Sequence, residues 1–266
     1  MIMKGMYEME RSIGKKEYSA RLSETRRRYR AERHMARDKY QRERRNLRQS
    51  FGKPLPKDPP KRGKLEEIGN SVTHGVGAAF AVVALILMLI FANGAYETVG
   101  AIIYFFGMFA SFGASCLYHS FKHGRAAKRL FRRFDYTGIY LLIGATFAPS
   151  LLAVVGGTFG IAFFITQWAV IAVGISLVCV FGPSRLRFIH IPLFVVLGWS
   201  AIMLLPSLIA ESFALAMWIL AGGIIYTLGI IPYMIKLKVS HFIWHFFVLA
   251  GAVVQWIGIF SYIYLA

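Results

Sequence analysis

His241 and His245 stand four residues apart in the segment SHFIWH at 240–245. On a helix, that spacing projects both imidazoles from one face. Such a pair is a common way to supply two ligands to one metal ion. Ser111, Ser115 and His119 repeat the spacing of four, and Asp135 lies between two further apolar stretches. A third histidine plus a carboxylate, with no thiolate in reach, suits Zn²⁺ with one open position. Asp135 would then bind directly or through a metal-held water. His74 follows Glu66, Glu67, Asn70 and Thr73 at the head of another apolar stretch. Simpler readings exist for each piece. A lone His-x₃-His also fits interfacial histidines that only bond lipid headgroups. Asp135 beside Arg132 and Arg133 also fits an ion pair at a membrane boundary. His123 and His190 read as interfacial bystanders of that kind. What decides between the readings is whether the chain brings these residues to one place.

The elements that must position them are membrane helices. Hydrophobic residues make up 56% of the 266-residue chain, although its first quarter is plainly polar. The remainder is therefore more apolar than a water-soluble core. A helix needs about 20 apolar residues to cross a bilayer core of about 30 Å. Seven segments meet that length, at approximately 72–92, 99–120, 134–153, 158–181, 188–208, 212–234 and 241–264. The fold class is thus all-α, a seven-transmembrane helix bundle over residues 65–266. Cys116 and Cys179 both fall in apolar stretches and read as small packing residues, with no disulfide framework implied.

Charge then orients the spans. Lys122, Arg125, Lys128, Arg129, Arg132, Arg133, Arg185, Arg187, Lys236 and Lys238 are the ten basic residues after position 64, and all fall in alternate loops. The other loops hold Glu97 and Glu211. Excess Lys and Arg mark cytoplasmic loops. The expected topology has a cytoplasmic N-terminus and an outside C-terminus. In that topology the starts of the first, third and seventh spans and the end of the second share one side. His74, His119, Asp135, His241 and His245 then lie at one depth, within roughly 10 Å of the inner boundary by the helical rise. That convergence favours a shared site over unrelated interfacial residues.

Residues 1–64 form a basic N-terminal extension with 21 Lys/Arg against 8 Asp/Glu, which carries most of the net charge of +18. From about Lys15 to Ser50 the composition predicts a solvated, partly helical segment with too few apolar residues to bury a face. Residues 51–64, FGKPLPKDPPKRGK, read as a stiff Pro-rich linker. The positive tail serves topology, or docks on anionic headgroups at about 1 kcal/mol per basic residue near the surface. Nucleic-acid binding is not expected, because no aromatic-interleaved basic motif is present. No apolar stretch follows the first charges, which argues against a cleaved secretory signal.

The segments EEIGNSVTHG at 66–75, SCLYH at 115–119, FDYTGIYLLIGATFAP at 134–149, GGIIYTLG at 222–229 and SHFIWH at 240–245 together resemble the hemolysin III proteins of bacteria. Those belong with the progestin and adiponectin receptor (PAQR) family and with membrane hydrolases that include alkaline ceramidases. The resemblance covers about 65–266, and residues 1–64 have no counterpart in it. It implies seven helices around a zinc ion near the cytoplasmic face, in the plasma membrane of a bacterium. His119, His241 and His245 match the family's zinc ligands. Asp135 matches the residue that contacts the zinc-bound water, and Ser115 matches a motif serine behind the ligands. Glu67, Asn70 and His74 match a further motif of less defined role.

Three functions follow as expectations. The first is a zinc-dependent hydrolase of lipid amide or ester bonds, with Asp135 accepting the water's proton. The second is a receptor-like or regulatory membrane protein with structural zinc. The third is a cytolysin, which seven membrane spans support poorly. Membrane lipids are the expected partners in each case.

Overall fold

The computed structural model describes residues 2–50, 59–235 and 239–266. It divides into two units, 1–55 and 56–266. In the first, Ile2–Ser50 form one helix, α1. Its apolar residues Tyr18, Tyr29, Met35 and Tyr40 are all exposed, and neighbouring turns are tied by surface pairs such as Arg21–Glu17 at 3.0 Å. Most of the Pro-rich linker lies outside the described residues.

The second unit is all-helical among the described residues. Helix α2 spans Lys64–Phe91, α3 Ala95–Ser120 and α4 Ala126–Pro149. A π-helical turn, Ser150–Val155, extends α4. Helix α5 spans Gly157–Phe181 and α6 Arg187–Trp199. A 3₁₀ turn at Ser200–Leu204 joins α6 to α7, Leu205–Glu211. Helix α8 spans Phe213–Met234, and α9 spans Ser240–Ile259 with a π-helical end at Phe260–Tyr264. With α6 and α7 counted as one span, seven helices are long and apolar enough to cross a membrane. The chain is a multi-pass integral membrane protein.

Two of these helices begin earlier than the apolar stretches alone predict. Helix α2 starts at Lys64 and α4 at Ala126, because their first turns carry charge that need not enter the hydrocarbon. Those polar turns build the site described below. The basic connections 121–125 and 182–186 lie at one end of the bundle, and Lys236 and Lys238 lie outside the described residues.

Close helix approach in a bilayer relies on small residues, since lipid tails are as apolar as leucine. Gly138 of α4 meets α3 so closely that a Cβ there would sit 2.7 Å from Cα of Ser111. Gly77 of α2 lies under the Phe112 ring in the same way, at 2.7 Å. Helix α3 is thereby clamped between α2 and α4. Its Ser111, Ser115 and His119 face inward, and each is buried.

Candidate metal centre

The three histidines from two distant stretches of sequence meet. His119 ends α3, and His241 and His245 occupy the first two turns of α9. Nε2 of His241 lies 3.3 Å from Nε2 of His119 and 3.0 Å from Nε2 of His245. One ligand atom from each falls within 4.8 Å of the others. His119 and His245 are buried and His241 is half-buried. Two imidazole nitrogens held at about 2.0–2.1 Å from one tetrahedral Zn²⁺ stand about 3.3 Å apart. The observed spacings fit that donor set, and an all-imidazole cluster suits zinc and its neighbours in the first transition row.

Side chains around the cluster fix the His119 ring and pack against His245. Oε2 of Glu67 lies 2.6 Å from Nδ1 of His119, and Asn70 Nδ2 lies 3.3 Å from the same nitrogen. A carboxylate beside Nδ1 accepts a hydrogen bond from the Nδ1–H tautomer, which leaves the Nε2 lone pair directed at the other histidines. The remaining oxygen of Glu67 accepts from Nζ of Lys128 at 2.9 Å. Lys128 is fully buried; it also donates to the Tyr118 carbonyl at 3.1 Å, and its ammonium lies 4.6 Å from the centre of the Tyr118 ring. His74 stacks on His245 with ring centroids 3.8 Å apart and meets the edge of Phe112 at 5.1 Å. It packs behind a ligand and is not one of the three.

Asp135 stands outside the histidine cluster on the α4 side. Its carboxylate faces Ser115 and His119 across the α3–α4 interface, with Arg62 and Arg132 flanking it. It also lines, with His241 and His245, the mouth of an apolar cavity of about 170 Å³. The cavity runs between α4, α6, α8 and α9 past Phe147, Phe194 and Ile219 to Gln255. From His241 to Gln255 along α9 is about 20 Å by the helical rise. An open, apolar space therefore meets the histidines beside a carboxylate.

Two features were not legible beforehand. Lys128 counted only as loop charge, yet it lies seven residues before Asp135 on the inward face of α4. His190, read as an interfacial bystander, is fully buried, with Nδ1 2.9 Å from the Tyr140 hydroxyl. It ties α6 to α4 in a second apolar cluster around Tyr140, Ile171, Val178 and Leu197. His123 is exposed.

The comparisons agree with this architecture. A family model described as haemolysin-III related matches residues 63–256. Hemolysin-3 of Bacillus cereus is 35% identical over 191 residues, 69% of this chain and 85% of that protein. The Hemolysin-3 homolog of Bacillus subtilis (strain 168) is 33% identical over 191 residues, 69% of this chain and 87% of that protein. The human monocyte to macrophage differentiation factor is 28% identical over 208 residues, 75% of this chain and 85% of that protein. The matched region includes α2 through most of α9, and with it all three histidines, Glu67, Lys128 and Asp135. This chain belongs to the haemolysin-III-related family of membrane proteins.

Proposed function

We propose that this protein is a zinc-dependent hydrolase of lipid amide or ester bonds, with its site at the cytoplasmic end of the bundle in a bacterial plasma membrane. The observation that carries the reading is the apolar cavity that opens onto the three-histidine cluster beside Asp135. A purely structural zinc site is closed by four protein ligands, whereas a catalytic one keeps a position open. Here His241 and His245, two of the three candidate ligands, line an apolar space long enough for an acyl chain.

His119, His241 and His245 would hold the metal. Bound zinc lowers the pKa of water to about 7 and polarises a carbonyl. The acyl chain lies along Phe147, Phe194 and Ile219, which places its carbonyl carbon at the mouth beside the histidines. Asp135 accepts a proton from the attacking water. It returns that proton to the leaving nitrogen or oxygen as the carbon–nitrogen or carbon–oxygen bond breaks. Glu67 orients the His119 ring through Nδ1, and Lys128 holds Glu67 in place.

The test is fatty-acid release, measured by mass spectrometry, from N-acyl and O-acyl lipids mixed with purified zinc-loaded protein. Release that falls by about a hundredfold or more in Asp135→Asn supports the reading. Zinc-loaded protein that cleaves no member of the panel at any pH overturns it, and favours a receptor-like protein with structural metal.

A further inference from the structure

Above the histidines lies a second, polar cavity that the hydrolytic reading does not use. Arg62, Arg132 and Arg187 line it, with Tyr118, Tyr136 and Tyr233 between them. The three arginines come from separate places: the segment before α2, the second turn of α4 and the first residue of α6. Asp135, Tyr136, Tyr233 and His241 border both this vestibule and the apolar cavity below it. The hydroxyls of Tyr136 and Tyr233 are 3.0 Å apart at that shared boundary. A molecule with its chain in the lower cavity would thus carry its head among the arginines.

Among the described residues, three arginines and two carboxylates, Glu66 and Asp135, stand at or beside this opening. After position 64, this end of the bundle has three carboxylates, Glu66, Glu67 and Asp135. Glu67 is taken by His119 and Lys128. Glu66 lies 3.7 Å from Arg62, and Asp135 faces Arg62 and Arg132. Arg187 lines the opening as additional positive charge. Topology alone asks only that basic residues lie on this side. It does not ask that Arg62, whose side chain is only 14% exposed and donates to the Tyr118 hydroxyl at 3.4 Å, line the same opening as two others. Guanidinium forks match phosphate oxygens in geometry as well as charge.

We infer that the vestibule of Arg62, Arg132 and Arg187 seats a phosphate-bearing lipid headgroup, so that the lipid at the metal centre is a phospholipid and not an uncharged acyl lipid. This rests on the hydrolase reading only for the fate of the lipid; the binding claim stands by itself.

The experiment compares ligands that differ in the phosphate alone. Zinc-loaded full-length protein in neutral maltoside micelles is titrated calorimetrically with lysophosphatidic acid, with the monoacylglycerol of the same chain, and with inorganic phosphate. Charge-assisted hydrogen bonds predict that lysophosphatidic acid binds about tenfold or more tighter than the monoacylglycerol. Arg187→Gln, an exposed position that the fold tolerates, and the pair Arg132→Gln with Arg187→Gln should shrink that preference stepwise. Zinc content and monoacylglycerol affinity should stay unchanged. Equal affinity for the two lipids overturns the inference, as does a preference that the arginine variants leave intact. Inorganic phosphate that binds as tightly as lysophosphatidic acid also overturns it, assigning the vestibule to free phosphate. The two readings fail separately. Headgroup preference without fatty-acid release sinks the hydrolase alone, and release with no headgroup preference sinks the phosphate site alone.

Discussion

Glu67 and His119 meet at 2.6 Å across the α2–α3 interface, carboxylate oxygen to Nδ1. That contact ties the candidate metal ligand to the polar first turn of α2, and through Glu67 to Lys128 of α4. Three helices therefore fix one imidazole. Partners of this kind typically change metal affinity by about 10–100-fold when removed. Glu67→Gln should weaken zinc binding within that range, measured by competition with a chromophoric chelator, while the bundle stays folded. Unchanged affinity would show that the pair only packs the helices.

Lys128→Met is expected to be harsher. It leaves Glu67 in a largely buried position without its cation. Breaking such a pair from one side costs about 3–5 kcal/mol. The variant should lower the thermal midpoint and weaken zinc together. The double variant Glu67→Gln with Lys128→Met should recover much of the stability without recovering the affinity. A stability loss in the double variant equal to the sum of the two single losses would contradict this coupling.

Metal removal should itself destabilise the bundle, because a bound ion would join His119 on α3 to His241 and His245 on α9 more strongly than the contacts among the imidazoles alone. A ligand at about 100 times its dissociation constant adds about 2.7 kcal/mol. Chelator should lower the thermal midpoint of the wild type, and zinc should restore it. His119→Ala should show neither response. A wild-type midpoint indifferent to chelator and zinc would count against a bridging ion.

Gly138 tests how tightly α3 must approach α4. An added methyl would meet the Ser111 backbone at 2.7 Å, and backbone cannot turn aside as a side chain can. Gly138→Ala should cost about 1–3 kcal/mol, the usual range for overpacking. It should also lower zinc content, since Ser111 and His119 ride on the displaced helix. Wild-type stability and zinc content in this variant would show that the interface yields without moving the site.

The sequence carries much of this arrangement. Apolar length gives the seven spans, and alternating basic loops place the starts of α2, α4 and α9 and the end of α3 together. Helical spacing then picks out His241 with His245, and Ser115 with His119. What spacing cannot supply is the partner across an interface. Whether Lys128 turns outward to water or inward to Glu67 depends on the packing of α2 against α3. The early start of α4 that carries Lys128 is hidden because its first turns are charged. His190 departs from an interfacial place for a related reason. Its place near a span end suggests headgroups, but Tyr140 one helix away offers a buried hydroxyl at 2.9 Å. The vestibule was equally hidden, because Arg62, Arg132 and Arg187 are far apart in sequence and converge only in the folded bundle.

The central claim is a metal centre built by His119, His241 and His245. Its most direct test is metal analysis of wild-type protein purified without chelator, beside His119→Ala and His241→Ala. The account predicts about one zinc per wild-type chain, in keeping with a single three-histidine site, and far less in either variant. Wild-type protein free of stoichiometric metal, or variants that keep the wild-type content, would contradict it.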